Sequence, residues 1–149
     1  MESILKAAQR KWSAEEHLKI VLEGAWMPLH DEAGNELKGI RGRIGAASMS
    51  MSGHEIGVDL IEMQPGSAFP LHVHPGDHIL YIESGEGIVH IRGRDRTVRK
   101  GDTVFIAAEH PHGVRVPVPG ATESLVLLAF GHPHKHVSAT DRMHEVDYE

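Results

Sequence analysis

Residues 66–85 have the sequence GSAFPLHVHPGDHILYIESG, and this stretch decides the fold. His72 and His74 are one residue apart, so they point to the same face of a strand, where side chains alternate with period 2. A Pro75-Gly76 turn follows, and His78 begins the next apolar segment. The stretch therefore predicts two short strands that bring three imidazoles close together.

A fourth histidine, His112, lies on a separate predicted strand behind Gly101-Asp102. A transition metal is the usual reason for a compact cluster of imidazoles. The chain contains no cysteine, so nitrogen and oxygen atoms must supply every ligand. A single buried histidine is usually a hydrogen-bonded core residue, but four in this arrangement favour a metal site.

After Gly24, short apolar or alternating runs recur between Gly, Pro, Asp and Asn turns, which is typical of an all-β sandwich or barrel. The 149 residues fit one domain. We expect an N-terminal helical segment at 1–24, because Ile4, Ala8 and Trp12 form one apolar stripe. A β-barrel at 25–136 and a C-terminal tail at 137–149 complete the predicted organisation.

The charge composition limits the classes of binding partner that we expect. With 21 acidic and 15 basic residues the formal net charge is -6, which fits a cytoplasmic protein and argues against nucleic-acid binding. No apolar run approaches the roughly 20 residues of a membrane span, and the N-terminus does not have the pattern of a secretory signal. The expected partner is a small-molecule substrate, with no nucleic acid and no membrane.

The full pattern is Gly66-x5-His72-x-His74-x3-His78-x6-Gly85, then Gly101-x10-His112. Over about residues 56–130 it resembles the two motifs of the cupin superfamily, G-x5-H-x-H-x3,4-E-x6-G and G-x5-P-x-G-x2-H-x3-N. The chain departs from the first motif at His78, where the family has glutamate. It departs from the second motif at three positions, Ala107, Glu109 and Val116.

The resemblance implies a cupin-type double-stranded β-helix, or jelly-roll, barrel that binds one divalent transition metal ion (Fe, Ni, Cu, Zn or Mn). The implied ligands are His72, His74, His78 and His112. Four neutral imidazoles leave such a site with a charge of about +2, which strengthens its attraction for anionic oxygen. The resemblance also implies a homodimer, formed by strand pairing or through the N-terminal segment.

Strand parity predicts an apolar wall around the metal, built from Met63, Phe69, Leu80, Ile82, Phe105 and Val114. His110 shares the parity of His112 and is the candidate catalytic proton donor or acceptor. Glu62, Asp77 and Glu83 are candidate hydrogen-bond acceptors for the imidazoles. The alternating His132, His134 and His136 belong to a second metal site, the substrate entrance or a solvated tail.

Three functions remain open from the sequence. The leading hypothesis is a metal-dependent, dioxygenase-like enzyme whose substrate chelates the metal through oxygen. The first alternative is a Lewis-acid zinc cyclase or isomerase, such as a polyketide cyclase, since some cupin cyclases have histidine-rich zinc sites. The second is a non-catalytic metal- or ligand-binding module, because a fold by itself does not decide function.

Overall fold

The computed structural model describes residues 25–49, 53–137 and 139–147. Within these ranges the chain forms strands without helices. The strands are β1 Met27–His30, β2 Glu36–Met49, β3 Glu55–Met63, β4 Ala68–Val73, β5 Asp77–Ser84, β6 Glu86–Ile91, β7 Arg94–Arg99, β8 Thr103–Ile106, β9 His112–Arg115, β10 Leu125–His132 and β11 His144–Glu145.

The strands form two antiparallel sheets. The larger has the order β1-β2-β3-β10-β5-β8, and the smaller has the order β11-β4-β9-β6-β7. Consecutive strands β4 and β5 lie in different sheets, as do β5 and β6. The chain therefore crosses repeatedly between the layers, which confirms the predicted all-β jelly-roll barrel.

The core lies between the sheets because each strand turns alternate residues inward. On β3 and β10, Ile61 is directly opposite Leu127 and Met63 is directly opposite Leu125. All four side chains are at most 3% exposed. Each such burial stabilises the fold by about 1.5–3 kcal/mol relative to an exposed side chain.

The C-terminal segment packs against the barrel. Val137 and Met143 are buried, and β11 pairs with β4 so that His144 is opposite Val73 and Glu145 is opposite His72. Within the predicted C-terminal tail, His144 and Glu145 thus extend the smaller sheet beside the histidines.

The predicted helical segment at 1–24 lies outside the described residues. In the part of the chain that the structure describes, no helix is long and apolar enough to cross a membrane.

Candidate metal centre

Strands β4 and β9 position three of the histidines. His72 on β4 is the register partner of His112 on β9, and their ring centroids are 4.2 Å apart. His74 follows on the same side of the chain, with its ring centroid 4.7 Å from that of His112. All three side chains are buried, and one potential ligand atom from each lies within 4.8 Å of the others.

A backbone carbonyl fixes the orientation of each of these rings. The Nδ1 atoms of His72, His74 and His112 donate hydrogen bonds to the carbonyl oxygens of Pro70, Gly76 and His110, at 2.7, 2.8 and 2.9 Å respectively. A carbonyl oxygen only accepts, so Nδ1 carries the proton in all three rings. In a neutral ring, Nε2 is then left with a free lone pair.

Burial keeps these rings neutral. Desolvation lowers the pKa of His72 to about 3 and the pKa of His112 to about 4, and it also lowers the pKa of His74. The Nε2 atoms of His74 and His112 lie 3.2 Å apart. Two lone pairs this close, with no proton between them, repel each other unless a cation binds both. The donor set therefore fits a transition metal.

His78 is beside this group but oriented differently. Its ring stacks on His74 with centroids 3.8 Å apart and an interplanar angle of 22°. Opposite His78 on β10 is Gly131, where a Cβ atom would lie 3.1 Å from the His78 Nε2 atom. The glycine thus leaves room for the ring. His78 lines the same cavity as the other three imidazoles, and its role as fourth ligand stays a prediction.

The metal-free protein should lose stability as the pH falls. Desolvation lowers the pKa of His78 to about 2, below its ordinary 6.5. Between these values the unfolded chain binds a proton that the folded chain does not, so stability is fully present above about pH 6.5 and decreases below it. Each such histidine contributes up to about 1.4 kcal/mol per pH unit.

Thermal unfolding between pH 6.5 and 4.5, in the presence of a chelator, measures this effect. His78→Phe is the matched variant, because it keeps a flat ring against His74 and removes one titrating group. Its melting temperature should decrease less steeply than that of the wild type. Identical slopes would show that His78 does not remain neutral in the folded protein.

The imidazoles open into a cavity of about 60 Å³ between the described residues. Of the predicted apolar wall, Phe69, Leu80 and Val114 line it. Met63 and Ile82 are both 0% exposed and belong to the hydrophobic core. The remaining lining residues, which we did not predict, are Ile61, Ile106, Leu127, Ala129, Arg142 and Met143.

Phe105 requires a correction, because it is 62% exposed and does not line the cavity. Ile106, its neighbour on β8, is opposite His78 and takes the inward position. Val104, Phe105 and Ile106 are all apolar, so local alternation did not indicate which parity faces inward. The pairing of β8 with β5 decides it.

His110, the candidate catalytic residue, is exposed and is not among the cavity-lining residues. Its backbone carbonyl accepts the hydrogen bond from His112, so the structure gives it an orienting role through the main chain. Two of the three expected carboxylate acceptors are also engaged elsewhere. Asp77 accepts a hydrogen bond from the Ala108 backbone, and Glu62 pairs with Arg41.

His134 has a different environment from the other two histidines of its alternating set. Its Nε2 atom lies 2.9 Å from Asp59 Oδ2 in a pair whose side chains are 7% and 3% exposed, and its Nδ1 atom lies 3.5 Å from Glu55 Oε1. The hydrogen bond to Asp59 raises the pKa of His134, which favours the imidazolium. His134 is thus part of a buried ion pair.

The two facing sheets and the three converging imidazoles define a class, the small β-barrels whose cavity can hold a metal ion. Residues 59–129 match the family model described as a Cupin domain. Residues 59–129 therefore form a Cupin domain.

The chain is 36% identical over 55 residues to the oxalate-binding protein of Thermotoga maritima. The match covers 36% of this chain and 46% of the relative, so the chain spans less than half the length of this curated protein.

Two solved structures have a similar fold. A predicted oxalate decarboxylase from Thermotoga maritima is 23% identical, with a TM-score of 0.60 over 73% of this chain and 92% of its own. The polyketide cyclase RemF from Streptomyces resistomycificus is 21% identical, with a TM-score of 0.54 over 65% of this chain and 67% of its own. At these identities the likeness concerns the fold.

Proposed function

We propose that this protein is a metal-dependent small-molecule enzyme of the cupin type, whose substrate chelates the metal through oxygen. The observation that carries the proposal is the pair of facing Nε2 atoms of His74 and His112, 3.2 Å apart with both Nδ1 protons committed to carbonyls. Buried neutral imidazoles in this orientation are suited to a cation, which would bind both lone pairs.

A divalent ion held there would supply Lewis-acid polarisation of a substrate oxygen and, if it is iron, nickel or copper, a redox centre for dioxygen chemistry. The chain's own residues shape the access. Phe69, Leu80 and Val114 make the cavity wall apolar beside the imidazoles, which excludes water and favours a compact substrate.

The cavity size bears on the choice between reactions. A water molecule needs about 10–15 Å³ of such cavity space, so a cavity of about 60 Å³ has room for a small ligand. A small chelating substrate fits this space, and we favour dioxygenase-like chemistry on such a substrate over cyclisation of a polyketide.

A non-catalytic binding module is the second candidate, and the name of the oxalate-binding relative favours it. Oxalate presents two oxygens to one metal ion and is small enough for the cavity. Under this alternative the same histidines would bind a metal and a small dicarboxylate without turning it over.

Oxygen consumption and product analysis separate these functions. The protein is loaded with Fe(II), Mn(II), Ni(II) or Zn(II) and supplied with small β-dicarbonyls or oxalate. We expect oxygen uptake with a redox-active metal and none in the His112→Ala variant. Turnover with zinc and without oxygen would support a Lewis-acid isomerase instead. Tight retention of oxalate with no turnover would support the binding module.

A further inference from the structure

Arg142 is a cationic side chain in the cavity that the metal site does not use. It comes from the C-terminal segment between Val137 and β11, outside the residues that match the Cupin domain model. It lines the cavity together with the imidazoles and the apolar wall. The residue as a whole is partly exposed, but its Nη1 atom is buried and has no hydrogen-bond partner among the described residues.

A buried guanidinium nitrogen without an acceptor is costly, because the lost hydration is not replaced. Asp59 is the carboxylate whose charge acts favourably on Arg142, yet its oxygens already contact His134 Nε2 at 2.9 Å and the Gly45 backbone nitrogen at 3.4 Å. The positive charge of Arg142 also disfavours protonation of His72, His74 and His78. The cavity thus combines positive charge, neutral imidazoles and apolar walls.

This arrangement matches an anion with a small body. A carboxylate accepts two hydrogen bonds from a guanidinium in a planar pair, and such charge-assisted bonds are about twice as strong as neutral ones. The apolar residues Leu80 and Val114 would contact the carbon atoms of the ligand. The cavity volume of about 60 Å³ accommodates a ligand of a few heavy atoms.

We propose that Arg142 is the specificity-determining residue of the cavity and binds the carboxylate of a small ligand of about two to four carbons. The inference rests on the proposed function for the second contact, in which another oxygen of the same ligand reaches the histidine site. The substrate class is then a small carboxylate with an additional oxygen, such as a hydroxy or oxo acid.

Calorimetric titration of glycolate tests the proposal, with glycolamide as the neutral ligand of the same size. Both ligands are titrated into zinc-loaded and chelator-treated protein, for the wild type, Arg142→Gln and Arg142→Lys. Arg96→Gln is the matched control, since Arg96 lies on exposed β7 away from the cavity. Zinc stoichiometry is measured separately for every variant.

We expect Arg142→Gln to weaken glycolate binding at least about tenfold in both forms of the protein. Arg96→Gln should leave it unchanged, and Arg142→Lys, which keeps the charge and loses the planar pair, should fall between. In low-salt buffer without ligand, Arg142→Gln should unfold at the same or a higher temperature than the wild type, because an unpaired buried charge is removed. A merely structural arginine would give the opposite change.

The outcomes separate this inference from the proposed function. Arg142-dependent glycolate binding in a protein that binds no zinc would support the inference and contradict the metal-dependent enzyme. Normal zinc binding with equal glycolate affinity in the wild type and Arg142→Gln would overturn the inference alone. Glycolamide binding as tightly as glycolate would also overturn it, as would failure of the wild type to bind glycolate. If Arg142→Gln does not fold, the glycolate affinity of Arg142→Lys is compared with that of the wild type instead.

Discussion

His112→Ala should strongly weaken metal binding by the purified protein. His112 contributes one of the three buried imidazoles whose ligand atoms lie within 4.8 Å of one another. The free energy of a four-ligand zinc site is about 10–16 kcal/mol, so one imidazole accounts for about 3 kcal/mol and its loss weakens the affinity about a hundredfold or more. Competition with a chromophoric chelator measures the change, and His72→Ala and His74→Ala should behave in the same way.

The geometry also predicts a ranking among the histidines. The His78 ring stacks on His74 and is not part of the closest group, so His78→Ala should weaken binding less than His112→Ala. His78→Glu should retain the metal, because it restores the carboxylate that the family motif has at this position. His90→Ala is the control, since His90 bonds to Asp95 outside the cavity. Unchanged metal affinity in His78→Ala would remove His78 from the ligand set.

His134→Ala should destabilise the fold by about 3–5 kcal/mol. Its partner Asp59 is 2% exposed, so the substitution leaves a buried carboxylate that has lost its main charged donor. Among the described residues, the long contact from the Gly45 backbone nitrogen, at 3.4 Å, is then the hydrogen bond that Asp59 retains. Urea unfolding at pH 7 measures the free energy of unfolding for the wild type and the variant.

The adjacent Lys135 provides a matched control, because it pairs with Asp141 on the surface, where the two side chains are 41% and 64% exposed. Lys135→Ala should cost less than about 1 kcal/mol. The double variant Asp59→Asn with His134→Ala should recover part of the stability, since the buried carboxylate charge is removed. A loss below about 1 kcal/mol for His134→Ala would contradict a buried ion pair at this position.

The sequence alone predicted the parts of the site that depend on local spacing. His72 and His74 share a face because strand alternation places them there, and the Pro75-Gly76 turn returns the chain to bring His78 beside them. His112 could be named as a candidate, but local spacing could not place it beside them, because its pairing with β4 joins residues 40 positions apart.

Other features of the site depend on long-range contacts, which cannot be predicted from a local sequence pattern. Arg142 reaches the cavity because β11 pairs with β4, and the polar C-terminal sequence shows neither alternation nor an apolar run to predict a strand there. The backbone carbonyls that orient the imidazoles could not be predicted either, because every residue has a carbonyl and the sequence does not distinguish these three. Gly57 was a usable signal that we missed: a Cβ atom there would lie 2.7 Å from the His134 ring, so this glycine makes room for the buried pair.

X-ray absorption spectroscopy of the metal-loaded protein tests the central claim most directly. We predict one metal ion per chain, with three or four imidazole nitrogens in its inner shell at about 2.0–2.1 Å for zinc. The His112→Ala protein, prepared in parallel, should have at least one imidazole nitrogen fewer in the inner shell of any metal that it retains. Failure of the wild type to retain metal, or an inner shell of oxygen atoms without imidazole scattering, would contradict the account.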